Sequence, residues 1–172
     1  MRPPLHPGHV QGRGHGRAHS GHQPLCQVRA ICKLYTEEDK DAFFDTDYDY
    51  IADCIDLVSC KLSLILNARE RGIPTISALG TGNKLDPSQF AITDISKTSG
   101  CPLARVMRKE LRSRGVNHHT VLFSPEEPLT PIALEAPPPG RRSIPASVSW
   151  VPSTAGLMIA GRIILDIVGN NG

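Results

Sequence analysis

YIADCIDLVSCKLSLILNARERGIPTISALG, residues 50–80, is the stretch that decides the fold. It opens on an apolar run, residues 50–56, that carries Asp53 and Asp56 and reads as a strand with acids at its carboxyl end. Residues 58–71 suit a helix. Val58, Leu62, Ile65 and Leu66 fall on one side, Arg69 and Arg71 come late, and Gly72 is a natural stop. Residues 73–79 are nearly continuously apolar, as in a strand buried on both faces. Strand, helix, strand in that order points to an α/β sheet, parallel in its first part.

Working outward, Gly80-Thr81-Gly82-Asn83 and Asp86-Pro87 are turns, and residues 90–95 read as another strand. Pro102 sits well at a helix start. Leu103, Val106, Met107 and Leu111 then follow helical spacing up to Gly115, and residues 120–124 read as a strand. Upstream, Cys26, Val28, Ala30, Cys32 and Leu34 alternate with polar residues, which predicts a strand. Thr36 and the acids after it predict a short helix. Downstream, residues 126–145 form a proline-rich loop carrying Pro137-Pro138-Pro139-Gly140-Arg141-Arg142. Residues 147–151 predict a last strand, followed by a helix over about 153–168.

The composition frames this reading. The chain has 172 residues, 40% hydrophobic and 21% charged, which excludes a wholly disordered polymer and a membrane bundle and leaves room for a core. The formal charge of +2 is uneven. Residues 1–25 hold Arg2, Arg13, Arg17 and no acid, so residues 26–172 are close to neutral. Five of the seven histidines also lie in residues 1–25, which have almost no large apolar side chains and read as a disordered tail. The five cysteines are odd in number and contain no Cys-x-x-Cys pair, so reduced thiols in a cytoplasmic protein are expected rather than a zinc site or a disulfide framework. The longest apolar segment, residues 155–168, contains Arg162 and Asp166 and is short for a bilayer, so no membrane association is expected.

Ligands of open α/β sheets bind beyond the carboxyl ends of the strands, where Asp53 and Asp56 lie. A carboxylate there can hold magnesium or a ribose hydroxyl. It can equally be a solvated strand end with Asp56 capping the next helix. The glycines at 80 and 82 fit neither GxGxxG nor GxxxxGK[ST]. His118 and His119 read as an exposed turn. Arg105, Arg108, Lys109, Arg112 and Arg114 form a basic run that is either a solvated helix face or a contact for RNA phosphates.

Asp53-Cys54-Ile55-Asp56 followed by Lys61 resembles the D-x-x-D segment of the ThiF/MoeB/HesA family, bacterial relatives of ubiquitin-activating enzymes. Ile73-Pro74-Thr75 through Gly80-Thr81-Gly82 resembles the next strand and loop of that family. Leu85-Asp86-Pro87-Ser88-Gln89-Phe90, Thr93-Asp94-Ile95-Ser96-Lys97-Thr98 and Pro102-Leu103-Ala104-Arg105 are similar to its tRNA threonylcarbamoyladenosine dehydratase branch. Val121-Leu122-Phe123-Ser124-Pro125-Glu126 fits as well, and so does the ending from Arg141 to the final helix; the resemblance covers residues 24–169.

The resemblance implies a Rossmann-like, ThiF-type sheet with flanking helices. It implies use of ATP and magnesium to adenylate the carboxylate of the threonylcarbamoyl group on tRNA, after which internal attack closes a cyclic, dehydrated form. It assigns Asp56 to catalysis and magnesium, places Asp53, Asp56 and Lys61 around the nucleotide, and offers Lys97 and Arg105 for tRNA. It also implies a homodimer and a cytoplasmic location. Some members carry a cysteine near the last strand; residues 144–150 have none, which argues against a thiol-dependent step.

One departure is large. The family's first βα units, its Gly-rich nucleotide loop, and the arginine and lysine that meet ATP have no counterpart before residue 24. An ATP site needs backbone amides and cations to offset phosphate charge. The expectation is therefore an incomplete sheet that binds ATP weakly or not at all. Gly8 to Pro24, back-translated and read one base on, permits GMSKVEVMAERIRAINP, which resembles the family segment with the ATP-contacting lysine. Residues 1–25 are thus expected to be out-of-frame. The competing readings are a metal-binding His-rich tail and a genuine disordered leader. For the whole chain they are a non-catalytic remnant with a dimer or RNA-binding surface, and a sulfur-carrier adenylyltransferase of the ThiF/MoeB kind.

Overall fold

The computed structural model describes residues 27–130 and 146–169. The tail reading of residues 1–25 and the Pro137–Arg142 cluster lie outside them. Residues up to Thr36 form a unit separate from Glu37 onward. Within that first unit residues 27–36 contain no strand, contrary to the alternation. Val28 and Leu34 are exposed. A period-two pattern makes a strand only where a neighbouring strand supplies the ladder, and among the described residues no strand pairs with this segment.

In the second unit four strands alternate with helices: β1 (Ile51–Asp53), α1 (Val58–Glu70), β2 (Thr75–Ala78), β3 (Ala91–Asp94), α2 (Pro102–Ser113), β4 (Thr120–Phe123) and α3 (Trp150–Ile167). The sheet order is β1-β2-β4-β3. β1, β2 and β4 run parallel, with Ala52 opposite Ile76 and Ser77 opposite Val121. β3 is antiparallel to β4. The α/β expectation, parallel in its first part, is borne out.

Three boundaries differ from the sequence reading. The acid-rich segment 36–39 yields only a 3-10 turn at Lys40–Ala42. β1 ends at Asp53, because the side chain of Asp53 accepts the Ile55 amide (3.0 Å) and turns the chain out of the sheet. No strand forms at 147–151: residues 146–148 are irregular and Trp150 and Val151 already belong to α3. Val151 is buried by helix packing rather than by strand pairing, and apolar content alone does not separate the two.

Period-two alternation sorts the core into two layers. Leu79, Val121 and Phe123 pack with Leu62 and Ile65 of α1 and Met107 and Leu111 of α2. Ile76 and Leu122 point the other way, onto Val151, Ala155 and Ile159 of α3. α1 stops at Gly72, whose φ of +69° lets the chain turn straight into β2. The segment before β1 is pinned to α1: Ser63 bonds Glu37, and the Arg71 guanidinium lies 4.4 Å from the centre of the Phe44 ring. α3 is, among the described residues, the one helix long and apolar enough to cross a membrane by length and composition, being longer than the sequence reading allowed. It packs one stripe on the sheet and leaves Leu157, Ile164, Ile167 and Val168 exposed.

Candidate functional site

The carboxyl ends of β1 and β2 open onto a cleft of about 600 Å3, closed on its other sides by the start of α2 and the first half of α3. Asp56, the loop Gly80-Thr81-Gly82, Lys84, Cys101 and Gly156 are among its walls. This is the crevice position that parallel strand ends create.

The three residues read from the D-x-x-D segment divide into two kinds. Asp53 and Lys61 are both buried and face each other: Lys61 Nζ donates to Asp53 Oδ2 at 2.7 Å and to the Ala78 carbonyl at 3.1 Å. This pair ties α1 to the ends of β1 and β2 beneath the cleft, and neither residue is part of its wall. Asp56 is different. Its carboxylate is exposed on the cleft wall and makes no hydrogen bond or ion pair with the described residues. It does not cap the following helix: the N-cap of α1 is Leu57, with no side-chain cap bond. The capping alternative for Asp56 therefore fails, and its oxygens are free for a ligand.

Burial and the charge of Asp53 push the Cys54 thiol up, so Cys54 is no activated nucleophile. Among the described residues no three of His, Cys, Asp and Glu gather to hold a metal. A single exposed carboxylate does suit magnesium shared with phosphates, since that ion commonly keeps waters and takes only one or two protein carboxylates.

Lys97 and Arg105 do not reach the cleft. Lys97 is exposed at the end of the 3-10 turn Ile95–Lys97, and Arg105 is exposed on α2. The basic run is only partly a solvated face. Arg105, Lys109 and Arg112 are exposed. Arg108 instead folds back to donate to the Thr98 carbonyl (2.7 Å) and hydroxyl (2.6 Å), and Arg114 pairs with Glu110 at 2.7 Å.

The structure corrects the reading of the histidines and adds a residue. His118 is exposed, beside Asp94 at 3.3 Å. His119 turns inward, with Nε2 2.8 Å from Ser77 Oγ, and desolvation lowers its pKa to about 4, so the ring is neutral at pH 7. Lys84 was not singled out from the sequence, yet it is 2% exposed, borders the cleft and donates to the Ser124 carbonyl at 2.5 Å. Burial pushes its pKa down. A lysine directly after a Gly-rich turn, at the end of a buried strand, was the available signal. Gly80 stands next to both Lys84 and Cys101: at φ +61° a Cβ there would lie 3.9 Å from Lys84 Nζ, an ordinary contact, but 2.6 Å from Cys101 Sγ, a clash. Asn83, at φ +59°, takes the Ala146 carbonyl with its amide (2.7 Å), the Ala146 amide with Oδ1 (2.6 Å) and the Leu129 amide with its carbonyl (2.8 Å).

The sequence matches no family model. It is 38% identical over 154 residues to the tRNA threonylcarbamoyladenosine dehydratase of Bacillus subtilis, covering 84% of this chain and 61% of that protein. It is 35% identical over 108 residues to tRNA threonylcarbamoyladenosine dehydratase 2 of Saccharomyces cerevisiae, covering 61% of this chain and 24% of that one. Crystal structures of the Escherichia coli tRNA N6-threonylcarbamoyladenosine dehydratase superpose with TM-scores of 0.80 (AMP complex) and 0.78 (ATP complex) at 24% identity, a likeness of fold. These cover 95% and 96% of this chain, and 66% and 68% of the solved chains. The chain thus spans about three-fifths of its Bacillus relative. The resemblance read from the sequence is borne out.

Proposed function

We propose that this chain, a relative of the tRNA threonylcarbamoyladenosine dehydratases, carries part of an ATP-dependent site that adenylates and cyclises the threonylcarbamoyl group of tRNA. The observation that carries the reading is Asp56: a carboxylate without a partner among the described residues, three residues past the end of a parallel strand, in a cleft of ligand size, in a fold whose solved neighbours were crystallised with AMP and with ATP.

Asp56 would hold magnesium against the phosphates, and the bound ion would neutralise charge as the carboxylate is activated. Asp53 and Lys61 act through position. Their buried pair fixes the Asp53–Asp56 turn and so aims Asp56 into the cleft. Lys97 and the exposed Arg105, Lys109 and Arg112 lie outside the cleft, where cations meet a nucleic-acid backbone at no cost in substrate space. A tRNA substrate places the protein in the cytoplasm, and the exposed apolar side of α3 is a natural seat for a second copy.

The chain as it stands binds ATP weakly in this reading. Among the described residues the cleft offers a single cation, Lys84, against the several negative charges of ATP. Calorimetry with ATP and magnesium tests both parts. Weak binding that Asp56→Asn abolishes, with no change in melting temperature, supports the role of Asp56. Tight binding that survives Asp56→Asn refutes it.

A further inference from the structure

Among the described residues the carboxyl end of the sheet buries two lysines, and only one has a carboxylate partner. Lys61 has the Asp53 carboxylate at 2.7 Å. Among the described residues Lys84 bonds only the Ser124 carbonyl, and no carboxylate lies within ion-pair distance. Two groups act on its charge: first Cys101, a buried thiol of the same cleft wall, and then Glu126, which spends its two oxygens on the Leu85 and Asp86 amides (2.9 and 3.2 Å). An ammonium carries three donors, and a neutral carbonyl takes one of them. Burying a cation without a counter-charge is costly, and such groups are normally paired. The second unusual feature is the space around it. Lys84 borders the same cleft as Asp56, with Gly80 and Cys101 beside it on the wall.

We propose that Lys84 is the anchor for an anionic oxygen of the ligand in this cleft, supplied by the substrate's carboxylate or by a nucleotide phosphate. The anionic partner that the described residues do not supply is then the ligand itself. The cleft is divided in charge: Asp56 faces a cation and Lys84 faces an oxyanion. Desolvation that depresses Lys84 in the free protein also strengthens its attraction for a bound oxyanion. The carboxylate source rests on the function proposed above; the anchor itself does not.

The test is NMR of the full chain carrying 13C at lysine Cε, with Lys84 assigned through Lys84→Met. Probes are inorganic pyrophosphate, the nucleoside N6-threonylcarbamoyladenosine, and its methyl ester, which lacks the carboxylate. The anchor predicts that the free acid shifts the Lys84 resonance and raises its titration midpoint while the ester does neither. Lys84→Met should weaken the acid about tenfold or more, down to the ester's level, while Lys84→Arg retains a preference for the acid. Pyrophosphate moving Lys84 while the nucleoside does not leaves the anchor standing with phosphate as its source and removes the carboxylate substrate. No response of the Lys84 resonance to any probe overturns the proposal, and that readout on the unaltered chain holds whether or not Lys84→Met folds.

Discussion

Lys61→Met tests the claim that a buried ion pair, rather than apolar packing alone, sets the floor of the cleft. Both partners are inaccessible, and their contact of 2.7 Å is as short as charge-assisted bonds become. At an effective dielectric of about 20, a pair at that distance attracts by roughly 6 kcal/mol. Desolvating the two ions offsets most of this, so the intact pair contributes little net stability. Removing one partner is different. Methionine fills the volume of the lysine stem, but the buried Asp53 Oδ2 loses its cation and the Ala78 carbonyl loses a donor. Asp53 Oδ1 retains the Ile55 amide, which softens the loss. The expected cost is about 3–5 kcal/mol, a third or more of the stability of an ordinary domain. Urea unfolding followed by circular dichroism reads it as a lower midpoint at unchanged slope. Pairing the change with Asp53→Leu should recover part of the loss, with a coupling of about 2 kcal/mol or more. A Lys61→Met cost under about 1 kcal/mol, or two additive single costs, would refute the reasoning.

His119 makes stability depend on pH. Its ring titrates near 6.5 in the unfolded chain and near 4 in the fold, so the unfolded state binds the extra proton between those values. Its contribution is therefore full above about pH 6.5 and is lost as pH falls toward 4, to a ceiling of about 3 kcal/mol, and less for a half-buried ring. Urea midpoints at pH 7 and pH 4.5 for the native chain and His119→Gln should diverge in slope; identical pH dependence would show that the ring does not titrate this way. Gly80→Ala should cost about 2 kcal/mol or more, because it combines a left-handed φ with a contact of 2.6 Å on Cys101 Sγ. Gly72→Ala, at φ +69° with nothing within 4 Å, should cost about 1 kcal/mol; equal melting temperatures for the two would sink the steric argument.

What was legible in the sequence is what local pattern controls. The apolar stripe of residues 58–71 and the stop at Gly72, and likewise Pro102 and Gly115, mark helices that the structure contains within a residue or two. Residues 73–79 and 120–124 carry no charge and are mostly apolar because their strands are covered on both faces, and that too is visible in one dimension. Alternation at 26–34 and apolar content at 147–151 failed because strand formation depends on a neighbour that no local window contains. The site was half legible. Asp53, Asp56 and Lys61 came from one segment, but which carboxylate is free depends on Lys61 reaching from the helix back to Asp53 at the strand end, eight residues earlier. His119 and Lys84 were hidden because their partners, Ser77 and Ser124, are about forty residues away in sequence.

Asn83 has a consequence for how this part of the chain can vary. Its three backbone and side-chain bonds hold Leu129 and Ala146 together at one point on the rim of the cleft. Two of the three come from the backbone of residue 83 and depend on its left-handed φ; only the bond to the Ala146 amide needs the side chain. Asparagine is among the few residue types that tolerate such a φ. Position 83 therefore varies under two separate constraints: glycine keeps the backbone bonds and gives up the side-chain one, whereas a β-branched residue endangers all three.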